Sequence, residues 1–89
     1  MARFEMTSLN MVQSAAEGGA PDALFELGLM YCAGREVGID FVTAHKWFNL
    51  AALRGNAEAK RYRAEIAAEM TRIDIARAQK LAREWISKH

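Results

Sequence analysis

Apolar positions along the chain fall into five stretches at helical spacing, separated by glycine, proline or hydroxyl residues. In the first, Leu9, Met11, Val12, Ala15 and Ala16 supply apolar surface from about Ser8 to Glu17. Thr7 or Ser8 can cap it, and Gly18-Gly19 ends it, because glycine takes the left-handed turn cheaply. The second starts at Pro21, whose fixed φ suits the first helical position, and sets Ala23, Leu24, Leu27, Gly28 and Tyr31 on one stripe. Gly28 inside that helix costs about 1 kcal/mol against alanine, which predicts a neighbouring helix lying very close there. Gly34 and Gly38 bracket the loop that follows. The third helix is capped by Asp40 and runs to about Arg54, with Ala44, Trp47, Phe48, Ala51 and Ala52 facing the core and His45, Lys46 and Asn49 on other faces; Gly55 ends it. The fourth covers about Ala57 to Met70, where Tyr62, Ile66 and Met70 make a narrower stripe amid Lys60, Arg61, Arg63, Glu65 and Glu69. Thr71-Arg72-Ile73-Asp74 reads as a capping box with a shorter acid. It opens a fifth helix on which Ile75, Ala78, Ala82, Trp85 and Ile86 face the core, with Leu81 beside them and Arg72, Arg77, Lys80 and Arg83 in water.

Every connection is short, and short connections make antiparallel neighbours. The expected fold is therefore all-α: one helix followed by two hairpins, in a single domain over residues 1–89. Composition agrees, since 52% of the residues are hydrophobic, many of them alanine, with a single proline.

The helices also carry a repeat. Ala15, Ala16, Gly19 and Ala23 recur as Ala51, Ala52, Gly55 and Ala59, each 36 positions on, an offset within the range of helical solenoid repeats. Between the two copies stand Gly19-Ala20-Pro21-Asp22-Ala23, then Leu27-Gly28-Leu29-Met30-Tyr31 with Gly34, Val37 and Asp40, then Ala44, Lys46-Trp47, Ala51-Ala52 and Gly55. These residues resemble the SEL-one-like repeat family, relatives of the tetratricopeptide repeat. The resemblance covers one full repeat, about residues 20–55. The second unit departs from it: Arg63 stands where the family has the leucine of the leucine-glycine pair, and no Met-Tyr follows. Residues 56–89 are accordingly expected to be a C-terminal capping hairpin, and the first helix looks like the second helix of a preceding repeat. The resemblance implies a short α-solenoid of about five antiparallel helices, with one complete helix-turn-helix repeat and degenerate flanking repeats. It implies no shared catalytic site, and it implies protein–protein binding, because similar proteins act as adaptors that assemble complexes.

Charge adds a polarity without pointing to a polyanion. The net charge is +1, yet residues 1–50 sum to −3 and residues 51–89 to +4. This is the pattern of solvated helix faces, or of a head-to-tail contact between copies or an acidic partner. Arg54, Lys60, Arg61 and Arg63 form the densest basic group, but 60, 61 and 63 do not share one helical face, so nucleic acid is a remote alternative partner. Cys32 is the single cysteine, which excludes an intramolecular disulfide and fits a reducing compartment. Met1-Ala2-Arg3-Phe4-Glu5-Met6 sets an acid where a signal peptide needs an apolar core, and no run is long enough for a membrane span, so a cytoplasmic location is expected.

Cys32 and His45 are the one nucleophile and base that chemistry would use, and nothing around them in sequence marks such a pair. One cysteine and two histidines are a poor supply of metal ligands. No catalytic residue, metal or cofactor is expected. The expected activity is that of a non-catalytic adaptor binding a protein or peptide through exposed positions such as Lys46, Asn49 and Arg61. Trp85 would be an interface anchor if it is uncovered, since tryptophan is enriched at binding hot spots. The alternative is self-association, in which Phe4, Met6, Leu9, Met11 and Val12 pair across a two-fold axis.

Overall fold

A computed structural model describes residues 8–89 of the chain. Phe4 and Met6 lie outside the described residues. Within them are five helices and no strand: α1 Ser8–Glu17, α2 Pro21–Ala33, α3 Phe41–Leu53, α4 Ala57–Ala67 and α5 Arg72–Lys88.

Local chemistry sets these boundaries. Pro21 occupies the first turn of α2, and Gly34 closes that helix at φ 76°, donating its N–H to Met30 O as Arg35 does. Three helices start on a side-chain cap: Asp40 Oδ1 accepts from Thr43 N at 3.1 Å, Asn56 Oδ1 from Ala59 N at 3.1 Å, and Thr71 Oγ1 from Asp74 N at 3.1 Å. The Asp74 carboxylate faces Arg77 at 3.6 Å. Helix α4 stops three residues short of the expected Met70. There Glu69 N and Met70 N bond to carbonyls three residues back, so the last turn tightens into a turn instead of extending the helix.

Asp40 gives a first expected result. Its Thr43 hydroxyl also donates to Oδ2 at 2.7 Å. Burial acts to raise its pKa, but the hydrogen bonds from Thr43 and Val42 and the charge of Arg77 outweigh it, so the carboxyl sits below its usual value. The stabilisation from this cap is present above the ordinary aspartate pKa and is lost as pH falls through the lowered one. Asp40→Ala should cost about 1 kcal/mol in urea unfolding at neutral pH, and the difference from wild type should vanish in acid.

Packing follows chain order from α1 to α4, each helix lying on the next, while α5 returns to lie on α3. Helix α3 is thus the hub, covered from three sides. Phe48, Leu24, Leu27, Met30 and Leu50 are the largest fully buried side chains. The close approach expected at Gly28 is present: a Cβ built there would run into the Phe48 ring. Phe48 in turn sits among Phe25 (centroids 5.7 Å) and Tyr62 (5.7 Å), with Phe25 edge-on to Tyr62 at 5.2 Å. Asn56 Nδ2 donates to Asp22 Oδ1 at 3.2 Å and ties the start of α4 to the start of α2.

Three expectations need correction. Helices α4 and α5 do not pair as closely as the two arms of a packed hairpin; each approaches α3 far more closely than it approaches the other. Helix α4 has only Ala59 and Ile66 buried, so it has little apolar surface left for a second neighbour. His45, expected on an outer face, is 3% exposed, because three helices around α3 extend its buried arc beyond the apolar stripe. Ile86, expected in the core, is 48% exposed: α5 buries Ala78, Ala82 and Trp85, and Ile86 is turned about 100° from Trp85.

Candidate functional site

A cleft of about 350 Å³ is lined by Gln13, Glu17, Leu27, Trp47, Trp85 and His89. Four helices build it. Gln13 and Glu17 are one turn apart at the C-terminal end of α1; Trp85 and His89 are one turn apart at the C-terminal end of α5. Leu27 of α2 and Trp47 of α3 form the apolar floor between them.

The walls are fixed by aromatic packing. Trp47 and Trp85 meet edge to face, centroids 6.4 Å apart at 81°. The His89 ring stacks on Trp85 at 3.9 Å, and its Nδ1 lies 2.9 Å from Trp85 O. Two cations of the chain use the same rings from outside the lining: Lys46 Nζ lies 4.2 Å from the Trp47 centroid, and the Arg54 guanidinium 5.6 Å from that of Trp85. Burial lowers the Lys46 pKa; Glu84 acts against this and Lys88 adds to it. The Arg54 guanidinium also packs where a side chain on Gly19 would stand. Trp47 Nε1 is buried with no hydrogen-bond partner.

Trp85 is therefore a wall of a cleft and not the exposed anchor considered from sequence; it is only 7% exposed, because α5 lays it against α3 under the His89 ring. Of the other expected partner-binding residues, Lys46 joins Trp85 through Trp47. Asn49 is half-buried and accepts from Arg63 Nη1 on α4, and Arg61 is exposed beside Glu58 at 3.6 Å and the Tyr62 ring at 5.1 Å. The four are not brought into one patch. The expected self-association face is also divided. Leu9 and Val12 pack against the protein's own core, while Met11, about 200° around α1 from Leu9, is 59% exposed. The basic group separates too, with Arg54 on Trp85, Arg63 on Asn49 and Arg61 on Tyr62.

No known family model matches the chain, and no curated protein does.

Cys32 and His45 stand in different electrostatic surroundings. Burial pushes the Cys32 thiol up, and the carboxylates of Glu65 and Glu69 push it further, opposite to what an activated thiolate needs. His45 is shifted down, first by burial and then by the Arg63 charge, with a smaller opposing contribution from its own backbone, and its Nδ1 has no partner. Among the described residues no three His, Cys, Asp or Glu side chains group as metal ligands, and no helix is long and apolar enough to cross a membrane.

The neutral His45 yields a pH dependence. With the folded pKa below the unfolded value, the unfolded chain takes up a proton that the folded chain refuses, so stability is full above about pH 6.5 and falls as pH drops toward the folded pKa. The melting temperature of the wild type should fall over that interval, and His45→Gln should flatten the fall; equal slopes would assign it to other groups.

Sequence reasoning missed Gln13, Glu17, Leu27 and His89 as site residues. Two signals were available: Gln13 with Glu17, and Trp85 with His89, are each spaced i, i+4 near a helix end. What was missing is the docking of α5 on α3, which no local period encodes.

Proposed function

We propose that the chain is a SEL-one-like helical-repeat module, a short solenoid that binds a segment of a protein partner and acts as a non-catalytic adaptor. The observation that carries this reading is the cleft. Four helices converge on a pocket with an apolar floor, aromatic walls and a polar rim, the composition of a recognition site. Helices stacking in chain order, with a mid-helix glycine admitting the Phe48 ring, support the repeat reading. The perturbed thiol and imidazole lie outside the cleft lining, and the thiol is shifted away from reactivity, which favours binding over chemistry.

Selection of a displayed peptide library on the immobilised chain tests it. Enriched peptides should change the fluorescence of Trp47 and Trp85 on titration and lose affinity when Gln13→Arg crowds the rim. A selection that enriches nothing above the blank support overturns the reading.

A further inference from the structure

We infer that the cleft takes an acidic side chain, so that the segment it binds presents a glutamate or aspartate; this rests on the binding-module reading above. Three features of the surroundings favour an anion. The first is a set of resident cations. Lys46 lies over Trp47 and the Arg54 guanidinium over Trp85, so each stands one indole behind the lining, and Lys88 lies in the last turn of α5 beside His89. Among the described residues neither Lys46 nor Arg54 is ion-paired with a carboxylate. The second is that both helix ends at the pocket already hold a counter-charge. Arg54 packs against Gly19, just past the end of α1, and Lys88 closes α5, so neither negative helix end is left uncompensated to repel an anion. The third is a donor. Trp47, a residue of the lining, has its Nε1 buried without a partner. An indole N–H donates and never accepts, so this wall lacks an oxygen acceptor and not a further donor.

Two carboxylates act the other way. Glu17 is the single acid of the lining and is exposed at the rim. Glu84 lies outside the lining and acts on Lys46, yet burial still holds the Lys46 pKa below its usual value, and Lys88 adds to the shift. An anion beside Lys46 would relieve that desolvated charge, and a further cation would deepen the penalty. A basic guest would also find Trp47 under Lys46, and Trp85 under Arg54 and the stacked His89 ring. Leu27 and the indole edges would cover the methylenes of a guest glutamate, while its carboxylate would meet Lys46 and the Gln13 amide. Charge on the wider surface steers the same way: α5 carries five basic residues and two acidic ones, which draws an acidic segment toward the helix that walls the cleft. A volume of about 350 Å³ suits one such side chain with its flanking backbone.

The test uses four blocked heptapeptides, Gly-Gly-Ala-Xaa-Ala-Gly-Gly, with glutamate, glutamine, norleucine or lysine at the centre, and a thymidine hexanucleotide. Binding is followed on ¹⁵N-labelled protein through the indole N–H signals of Trp47 and Trp85. Glutamine matters most, since it keeps the shape of glutamate and removes the charge. The glutamate peptide should shift both indoles and bind about tenfold more tightly than glutamine. Lys46→Gln should bring the glutamate peptide down toward the glutamine value, and Lys46→Arg, which keeps the charge, should retain the preference. Glu17→Gln should strengthen the glutamate peptide, because it removes the opposing charge from the rim. Gln13→Arg tests occupancy and not charge, since its long side chain fills the space that the guest needs. Added salt should weaken the glutamate peptide and not the glutamine one. Equal binding of glutamate and glutamine, a preference for norleucine or lysine, or indifference to both Lys46→Gln and Glu17→Gln each overturns the acid preference while leaving a peptide-binding cleft in place. A hexanucleotide that shifts the indoles at lower concentration than the glutamate peptide overturns it in favour of a nucleic-acid site. If no probe moves either indole, the cleft is not the site, and the display selection above decides separately whether the chain binds peptides elsewhere.

Discussion

Phe48→Ala should remove about 3–5 kcal/mol from a domain whose whole stability, at 89 residues, is expected to be roughly 4–13 kcal/mol. Phe48 is fully buried where α2, α3 and α4 meet, and it fills the space that Gly28 leaves open. Truncation deletes ring contacts to Phe25 and Tyr62 and leaves a cavity beside a helix that has no side chain to offer into it. The loss should therefore lie in the upper part of the range, and urea unfolding at 25 °C measures it. Gly28→Ala probes the same contact from the other side. Alanine gains about 1 kcal/mol of helix propensity, but its Cβ forces the Phe48 ring to shift, at a cost of about 1–3 kcal/mol. The two positions should be coupled: Gly28→Ala with Phe48→Leu should lose less than the single changes added together. Strict additivity would mean that the glycine answers to the backbone alone, and would remove the main packing support for the repeat reading.

Gly28 also marks the limit of what the chain reveals before folding. A glycine in mid-helix announces that something lies close, and the approach of α3 is there. The side chain that approaches, Phe48, is 20 positions away and is one of several apolar residues on its own stripe. Helix boundaries were legible for the same local reason: Asp40, Asn56, Thr71, Pro21 and Gly34 act within one turn of their own positions. The arrangement around α3 was not. A 3.6-residue period identifies one apolar face, and α3 is covered on three sides, so Leu50 and His45 are buried outside the stripe that the period selects. In α5 the ambiguity runs the other way. Several apolar residues compete for the core, and Ala78, Ala82 and Trp85 win over Ile86 and Ile73, since two alanines let the backbones approach and the indole closes the gap at the end. The cleft inherits this uncertainty, because half of its walls depend on which face of α5 turns inward.

Trp85→Ala should cost about 3 kcal/mol, the low end for a large aromatic because one edge faces the cleft, and the loss should fall unevenly along the chain. Trp85 is the single large buried side chain of α5; its other buried positions are Ala78 and Ala82. With the indole gone, the edge contact to Trp47, the His89 stack and the Arg54 contact all disappear, and α5 keeps only alanine-sized contacts with α3. Helix α5 should then undock before the rest unfolds, because Phe48, Leu24, Leu27 and Met30 hold α2 and α3 together without it. Native-state hydrogen exchange resolves the two events. Amides from Ala78 to Trp85 should exchange far faster in the variant, while those of α2 and of α3 around Phe48 should keep most of their protection. Trp85→Phe should retain most of the docking, since a ring still spans the gap to Trp47. Uniform loss of protection across all helices would show instead that α5 and the α2–α3 pair form one cooperative unit. Binding separates the roles of the residue further: undocking α5 withdraws a wall from the cleft, so peptides selected on the wild type should lose affinity in Trp85→Ala.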